Sequence, residues 1–350
     1  MSNWIHDIEI RNFKSIRQAR IEDCRRINLF VGPPNVGKSN LTEALSLLSY
    51  VNDDFYTHLS QICRFEFFSD LFYYGNVLES SNIQFNLNYR ISLKYQSEAS
   101  LHLELQRKNR AVDWECLFGI DLILNEQSPR LPEMSRRDLL SLKKEDLSSL
   151  KVFKYKFQIN SFDKIISALH LASPAGENLF EVIQNNKEVK KEFAELIRPF
   201  GFKMLFDTQT KKLRLVKDLD AATIASIPFG QIADTLQMLI FHLAGSLTNR
   251  DSIILFEEPE AHLYEPYILE LTNRLKYDKQ RNQYFVVTHS QYVIDELLRD
   301  EESRNSTNIY LVGIEGDSTT VKLIESKKNG DVFERGLNVF FNYQNLWDEN

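Results

Sequence analysis

The sequence predicts an α/β protein, and three observations carry that prediction. The mostly apolar run Ile27 to Val31 ends in a glycine-containing loop, Gly32 to Ser39, and the stretch Leu41 to Leu48 continues as a helix. Ser252 to Phe256 and Tyr284 to Val287 are short apolar runs of the kind that form strands buried on both faces. Segments of helical period lie on either side of these runs, including Ile232 to Leu247. Strands alternating with helices give a sheet covered on both faces.

At 350 residues and 43% hydrophobic content the chain can bury a large core, as one large domain or two ordinary ones. The formal charge of −7, from 42 basic and 49 acidic residues, argues against an obligate nucleic-acid coat protein while permitting a local basic patch. Cys24, Cys63 and Cys116 lie far apart without C-x-x-C spacing, so neither a disulfide framework nor a zinc site is indicated, which fits a reducing cytosol. The first residues lack a charged region followed by an apolar core, and no apolar run approaches the roughly 20 residues that span a bilayer. A cytoplasmic protein with no membrane partner is expected.

Along the chain, Trp4 to Ile10 places Ile8 and Ile10 on one side of an alternating pattern, and Arg17 to Glu22 supplies a second strand of a hairpin. Ile83 to Tyr95, Ser100 to Leu105 and Ala111 to Phe118 predict three strands of an antiparallel layer. Charged, helix-favouring segments follow, Arg136 to Lys151 and Asn178 to Ile197, then a hairpin across Asp207 to Thr210. The expected division is therefore a core domain from residues 1–120 and 227–350, interrupted by a mainly helical lobe with a hairpin at 121–226. Asn308 to Val312 and Thr319 to Ile324 predict a last hairpin, and the aromatic tail Phe333 to Trp347 is expected to cover its own sheet edge.

Gly32, Pro33, Pro34, Asn35, Val36, Gly37, Lys38 and Ser39 fit G-x-x-x-x-G-K-[ST] in the strand and helix context that the pattern requires, and Asn40 continues the candidate ATP-contacting set. Such a loop turns its backbone N–H groups toward phosphate oxygens, and the helix that follows adds roughly +0.5 charge at its N-terminus. Lys38 offers a point charge to β and γ phosphates, and Ser39 a hydroxyl to Mg2+.

The second strand ends in Glu257 and Glu258, whose side chains should point in different directions. Glu257 is the candidate ligand of the Mg2+ shell, and Glu258, at the turn begun by Pro259, the candidate base for the attacking water. The third strand leads into Thr288, His289 and Ser290, so His289 joins Glu258 as a candidate catalytic residue at a strand's C-terminal end.

These residues resemble the ABC-type ATPase heads of the RecF, SMC and OLD group, in particular stand-alone "AAA family ATPase" proteins that bacteria use against phage. The likeness includes Ile8 to Ile16, the Gly32 to Ser39 loop, Phe68 to Asn76, Pro174 to Leu179, Phe256 to Leu263 and Val287 to Ser290. It implies a P-loop NTPase of the ABC-head type that binds ATP with Mg2+ and closes as a head-to-head dimer, with a higher oligomer also open. In that dimer each site is completed by a signature helix of the partner. The stretch Gly230 to Gln237 stands where the group commonly has Ser-x-Gly, and Asp234 and Thr235 are its candidate trans residues.

A chain of this length leaves no segment for the C-terminal nuclease of OLD proteins, nor a long heptad arm, so an effector such as a nuclease is expected on a separate chain. The first functional reading is a sensor or regulatory ATPase of an anti-phage system. The second is a RecF-like repair ATPase that clamps duplex DNA through Arg11, Lys14, Arg17, Arg20, Arg25 and Arg26. The third is a scaffold that binds ATP to assemble and hydrolyses it slowly.

Overall fold

The computed structural model describes residues 4–52, 59–108, 113–123, 151–158, 170–207, 210, 212–324, 332, 334 and 336–350. The predicted helix Arg136 to Lys151 lies, apart from Lys151, outside the described residues.

The N-terminal hairpin joins β1 (Ile8–Phe13) to β2 (Ile16–Ile21), and β3 (Ile27–Val31) runs through the glycine loop into α1 (Lys38–Asn52) and the short α2 (Leu59–Ile62). Next come β4 (Ser81–Phe85), β5 (Tyr89–Ser97), β6 (Ser100–Lys108) and β7 (Trp114–Ile123). With the hairpin they form a six-stranded antiparallel sheet in the order β2-β1-β4-β5-β6-β7. The sequence predicts one strand over Ile83 to Tyr95, and the structure corrects this to two. Asn86 and Leu87 take φ of 49° and 56°, and Asn86 is held there by bonds from its side chain to the backbone of Trp4 and His6. An exposed leucine inside an apolar run hides that turn. The last predicted strand likewise starts later, at Trp114, and runs on to Ile123.

β8 (Val152–Tyr155) falls within the stretch assigned by the sequence to a separate lobe, yet it pairs in parallel with the strand Ile253–Glu257 of the main sheet. Beyond it lie α3 (Leu179–Asn185) and α4 (Lys187–Ile197), where one helix was expected. Asn186 separates them because its side chain caps the second helix, accepting from the N–H groups of Glu188 and Val189. The expected hairpin is β9 (Lys203–Asp207) with β10 (Lys212–Asp218), extended by β11 (Ile224–Pro228) into a three-stranded sheet.

The chain then forms α5 (Asp234–Thr248), β12 (Ile253–Glu257), α6 (Glu265–Lys276), β13 (Gln283–Val287), α7 (Gln291–Leu298), α8 (Glu301–Asn305), β14 (Thr307–Glu315), β15 (Ser318–Leu323) and α9 (Tyr343–Glu349). The second six-stranded sheet has the order β15-β14-β3-β13-β12-β8, parallel except for its final hairpin. Two apolar clusters cover its faces. Ile254, Phe256, Tyr284 and Val286 belong to the cluster that includes α5, α6 and α7, whereas Leu255, Phe285 and Val287 belong to the one with α1 and the antiparallel sheet. That double burial explains why these strands read as unbroken apolar runs.

The tail folds back as expected: Leu346 and Trp347 are buried, and the Tyr343 hydroxyl donates to Val312 O at 2.9 Å. No helix among the described residues is long and apolar enough to cross a membrane.

Candidate active site

In the parallel sheet β13 lies between β3 and β12, with Val287 opposite both Phe30 and Glu257. The C-terminal ends of three neighbouring strands therefore deliver the glycine loop, the Glu257-Glu258 pair and the His289 turn to one edge. This is the edge where parallel α/β sheets offer a crevice.

The loop is packed too tightly for side chains at its glycines. A Cβ on Gly32 would lie 2.1 Å from Val312 O, and one on Gly37, at φ +93°, would lie 2.2 Å from Thr319 Oγ1 and 2.6 Å from Ser15 Oγ. Ser15, Thr319 and Asn40 buttress it from outside: Asn40 donates to Ser15 Oγ, which shares a hydrogen bond with Thr319 Oγ1, and Thr319 donates to Val36 O. Lys38 begins α1 and bonds Gly32 O at 2.9 Å and Pro33 O at 2.6 Å. Burial pulls its ammonium below the usual pKa, against the attraction of Glu258.

Asn35, Lys38, Ser39, Asn40, Glu258 and His289 line one cavity of about 390 Å3. A neighbouring cavity of about 700 Å3 shares Ser39 and Glu258 and adds Glu257, Asp234, His242 and His262. Glu258 sits at φ +48°, a region that L-residues rarely occupy, while its N–H still bonds Val287 O at 2.8 Å. The His289 Nε2 stands 3.5 Å from Glu258 Oε1. Burial and the Lys38 charge hold the imidazole below its ordinary pKa, opposed by Glu258.

Glu257 points elsewhere, as expected of successive strand residues. Its Oε1 accepts from Thr42 Oγ1 at 2.6 Å and pairs with Lys154 Nζ at 2.9 Å. Burial pushes this carboxyl up, but Lys154 and Thr42 outweigh it and leave the pKa below the usual range. Glu260 has a supporting position: its buried Oε1 accepts from Thr288 Oγ1 at 2.6 Å and from His289 N at 2.9 Å, fixing the turn that carries the histidine. The sequence assigns no role to Thr42, Lys154, Glu260 or Thr319, nor to Arg64, which lines both cavities. No motif spacing marks them, and a buried lysine or glutamate runs against the usual exposure of charge.

The candidate trans residues lie at the start of α5. Ala233 occupies the N-cap position, without a side-chain bond, and Asp234 is the first helical residue. The Thr235 hydroxyl donates to His262 O at 3.0 Å within the same chain.

Five of the six basic residues of the N-terminal region, all but Arg17, are engaged by other groups of the chain. Arg11 pairs with Glu9, Lys14 with Glu43 and Arg20 with Glu22. Arg25 and Arg26 donate to carbonyls of Arg304, Thr307, Leu275 and Lys276.

A Mg2+ ion carried with a nucleotide fits this donor set. Ser39 and Glu257 bring hard oxygen donors to the same cavity, and among the described residues Glu257 Oε2 accepts no hydrogen bond. No group of three or more His, Cys, Asp or Glu side chains converges as a metal site among the described residues. The ion would thus depend on phosphate oxygens and water for its remaining ligands.

A glycine loop on a parallel sheet, backed by an antiparallel layer, gives the chain the fold of an ABC-type ATPase head. The chain belongs to the AAA ATPase domain family, whose model matches residues 4–221. It is similar to an SMC head bound to the C-terminal winged-helix domain of ScpA, with a TM-score of 0.53 and 14% identity over 94% of this chain and 99% of that one. An SMC head with an extended coiled coil, bound to the C-terminal domain of ScpA from Pyrococcus furiosus, gives 0.52 and 13% over 95% and 99%. Among curated proteins, an ATP/GTP phosphatase of Helicobacter pylori is 22% identical over 348 residues, covering 87% of this chain and 91% of that protein. The DNA replication and repair protein RecF of Caldanaerobacter subterraneus subsp. tengcongensis matches 79 residues at 29%, covering 23% and 21%.

Proposed function

We propose that the chain binds MgATP against the loop 32–39 and hydrolyses it, acting as the sensor or regulatory subunit of a bacterial anti-phage system that controls a separate effector. One observation carries the enzymatic part: Lys38, Glu258 and His289, from three distant parts of the sequence, line the same cavity. In this reading Gly32, Pro33, Pro34, Asn35, Val36, Gly37 and Asn40 surround the phosphates, with Lys38 neutralising them. Ser39 and Glu257 hold Mg2+. Glu258 takes the proton of the attacking water, and His289, which burial and Lys38 hold below its ordinary pKa, donates to the γ-phosphate. Two heads close on the nucleotide, and the start of α5, with Asp234 and Thr235, faces the partner's site.

The pairing of Arg11, Lys14 and Arg20 with glutamates of the same chain supports control of a partner protein over direct clamping of DNA. The catalytic assignment is tested with Glu258→Gln. Turnover should fall by roughly two orders of magnitude or more while ATP stays bound, the range expected for losing a general base. Lys38→Ala should instead weaken ATP binding. Equal turnover of wild type and Glu258→Gln would remove Glu258 as the base.

A further inference from the structure

Lys154 is a cation that the catalytic reading does not use. It lies on β8, opposite Leu255 of β12, and its side chain is only 3% exposed. Leu255 and Glu257 share a face of β12, so a long side chain rising from the register position beside Leu255 reaches the carboxylate two residues on. Its Nζ lies 2.9 Å from Glu257 Oε1 and donates to Ile62 O at 3.0 Å. Thr42, one turn into α1 from Ser39, has one hydroxyl proton, and the same carboxylate oxygen, at 2.6 Å, is a closer acceptor for it than Ser39 O at 2.9 Å. Two donors from different elements thus occupy Oε1 and leave Oε2 unbonded among the described residues.

We propose that Lys154 is a positioning residue with a second effect: it fixes the orientation of Glu257 and supplies a resident positive charge that lets the site accept ATP before magnesium is in place. This rests on the reading of the cavity as an ATP site. Glu257, Glu258 and Asp234 bring three carboxylates to a cavity that Arg64 and Lys156 also line; Lys154 pairs directly with Glu257, the least exposed of the three, and offsets its repulsion of a triphosphate. A largely buried carboxylate deprived of the one ion-pair partner it has among the described residues repels an approaching polyanion more strongly than an exposed one does, because little water screens it. Divalent metal then becomes a condition for nucleotide binding rather than an aid to it.

The test is equilibrium binding of a fluorescent ATP analogue, once with excess EDTA and once with Mg2+, to wild type, Lys154→Met and Lys154→Arg. The ratio of the two dissociation constants should rise by about tenfold or more in Lys154→Met, mainly through weaker metal-free binding, and Lys154→Arg should hold it near the wild-type ratio. A merely structural lysine would change both constants together. Thermal melts of each variant monitor folding, and Glu257→Gln with Lys154→Met gives a version lacking both charges. That version restores the net charge that the pair has in wild type, so metal-free binding should recover relative to Lys154→Met alone. An unchanged ratio in folded Lys154→Met, with wild type binding and Lys38→Ala failing to bind, would overturn the Lys154 inference and leave the ATP site standing. Absence of ATP binding by wild type under both conditions would overturn both.

Discussion

His242 illustrates how far a single residue can be taken from its solution behaviour. It stands in α5 with both neighbours aromatic, edge-on to Phe241 and Phe256, and its Nδ1 donates to Met238 O while Nε2 has no partner among the described residues. Burial drives its pKa down to about 4, with the Met238 carbonyl opposing. Because the unfolded chain takes up this proton near pH 6.5 and the folded one does not, the contribution to stability is complete above pH 6.5. It is lost as pH falls, at ~1.4 kcal/mol per unit, until the folded pKa is reached. Urea midpoints at pH 7.5 and 5.5 should accordingly separate more widely in wild type than in His242→Leu. An equal separation would assign the acid sensitivity to other groups. Nothing in the sequence singles out this histidine, since a helix of apolar period gives no hint of which polar member has lost its water.

At the scale of elements, legibility followed local pattern. The glycine loop and the apolar strands β12 and β13 were readable because each is contiguous and its polar end follows directly in sequence. β8 was not: Val152-Phe153-Lys154-Tyr155 alternates with charge and has its partner about a hundred residues away, so only the tertiary pairing reveals it as a core strand. The C-terminal helix α9 was legible as an aromatic tail but not as a clamp. Gly313 of β14 leaves the space into which it fits, since a Cβ there would lie 2.5 Å from Tyr343 Oη and 2.8 Å from the Trp347 ring. Lys322 Nζ lies over that ring, 4.5 Å from its centre. Trp347→Ala should cost about 3 kcal/mol, the lower end for removing a large buried aromatic. Gly313→Ala should also destabilise, and the double variant should lose less than the two losses added together, because both undo one packing contact. Strict additivity in chemical denaturation would mean that α9 docks elsewhere.

The whole molecule brings the candidate catalytic groups together within one chain but leaves the start of α5 engaged differently. Lys38, Glu258 and His289 meet in one cavity, whereas Thr235 spends its hydroxyl on His262 O and Ala233 caps the helix without a side-chain bond. The first-turn N–H groups of a 15-residue helix therefore have no side-chain cap, and an uncapped helix start attracts anions. If that start serves the phosphate of a second head, turnover per chain depends on meeting a partner. Specific activity of wild type should then fall on dilution and recover when excess Lys38→Ala chains are added, because a chain that cannot hold nucleotide still presents an intact α5. The same rescue should fail with Lys38→Ala chains that also carry Thr235→Arg, whose bulk blocks the helix start. Turnover per chain that stays constant across a thousandfold dilution, with no response to added Lys38→Ala, would make each head a self-sufficient ATPase.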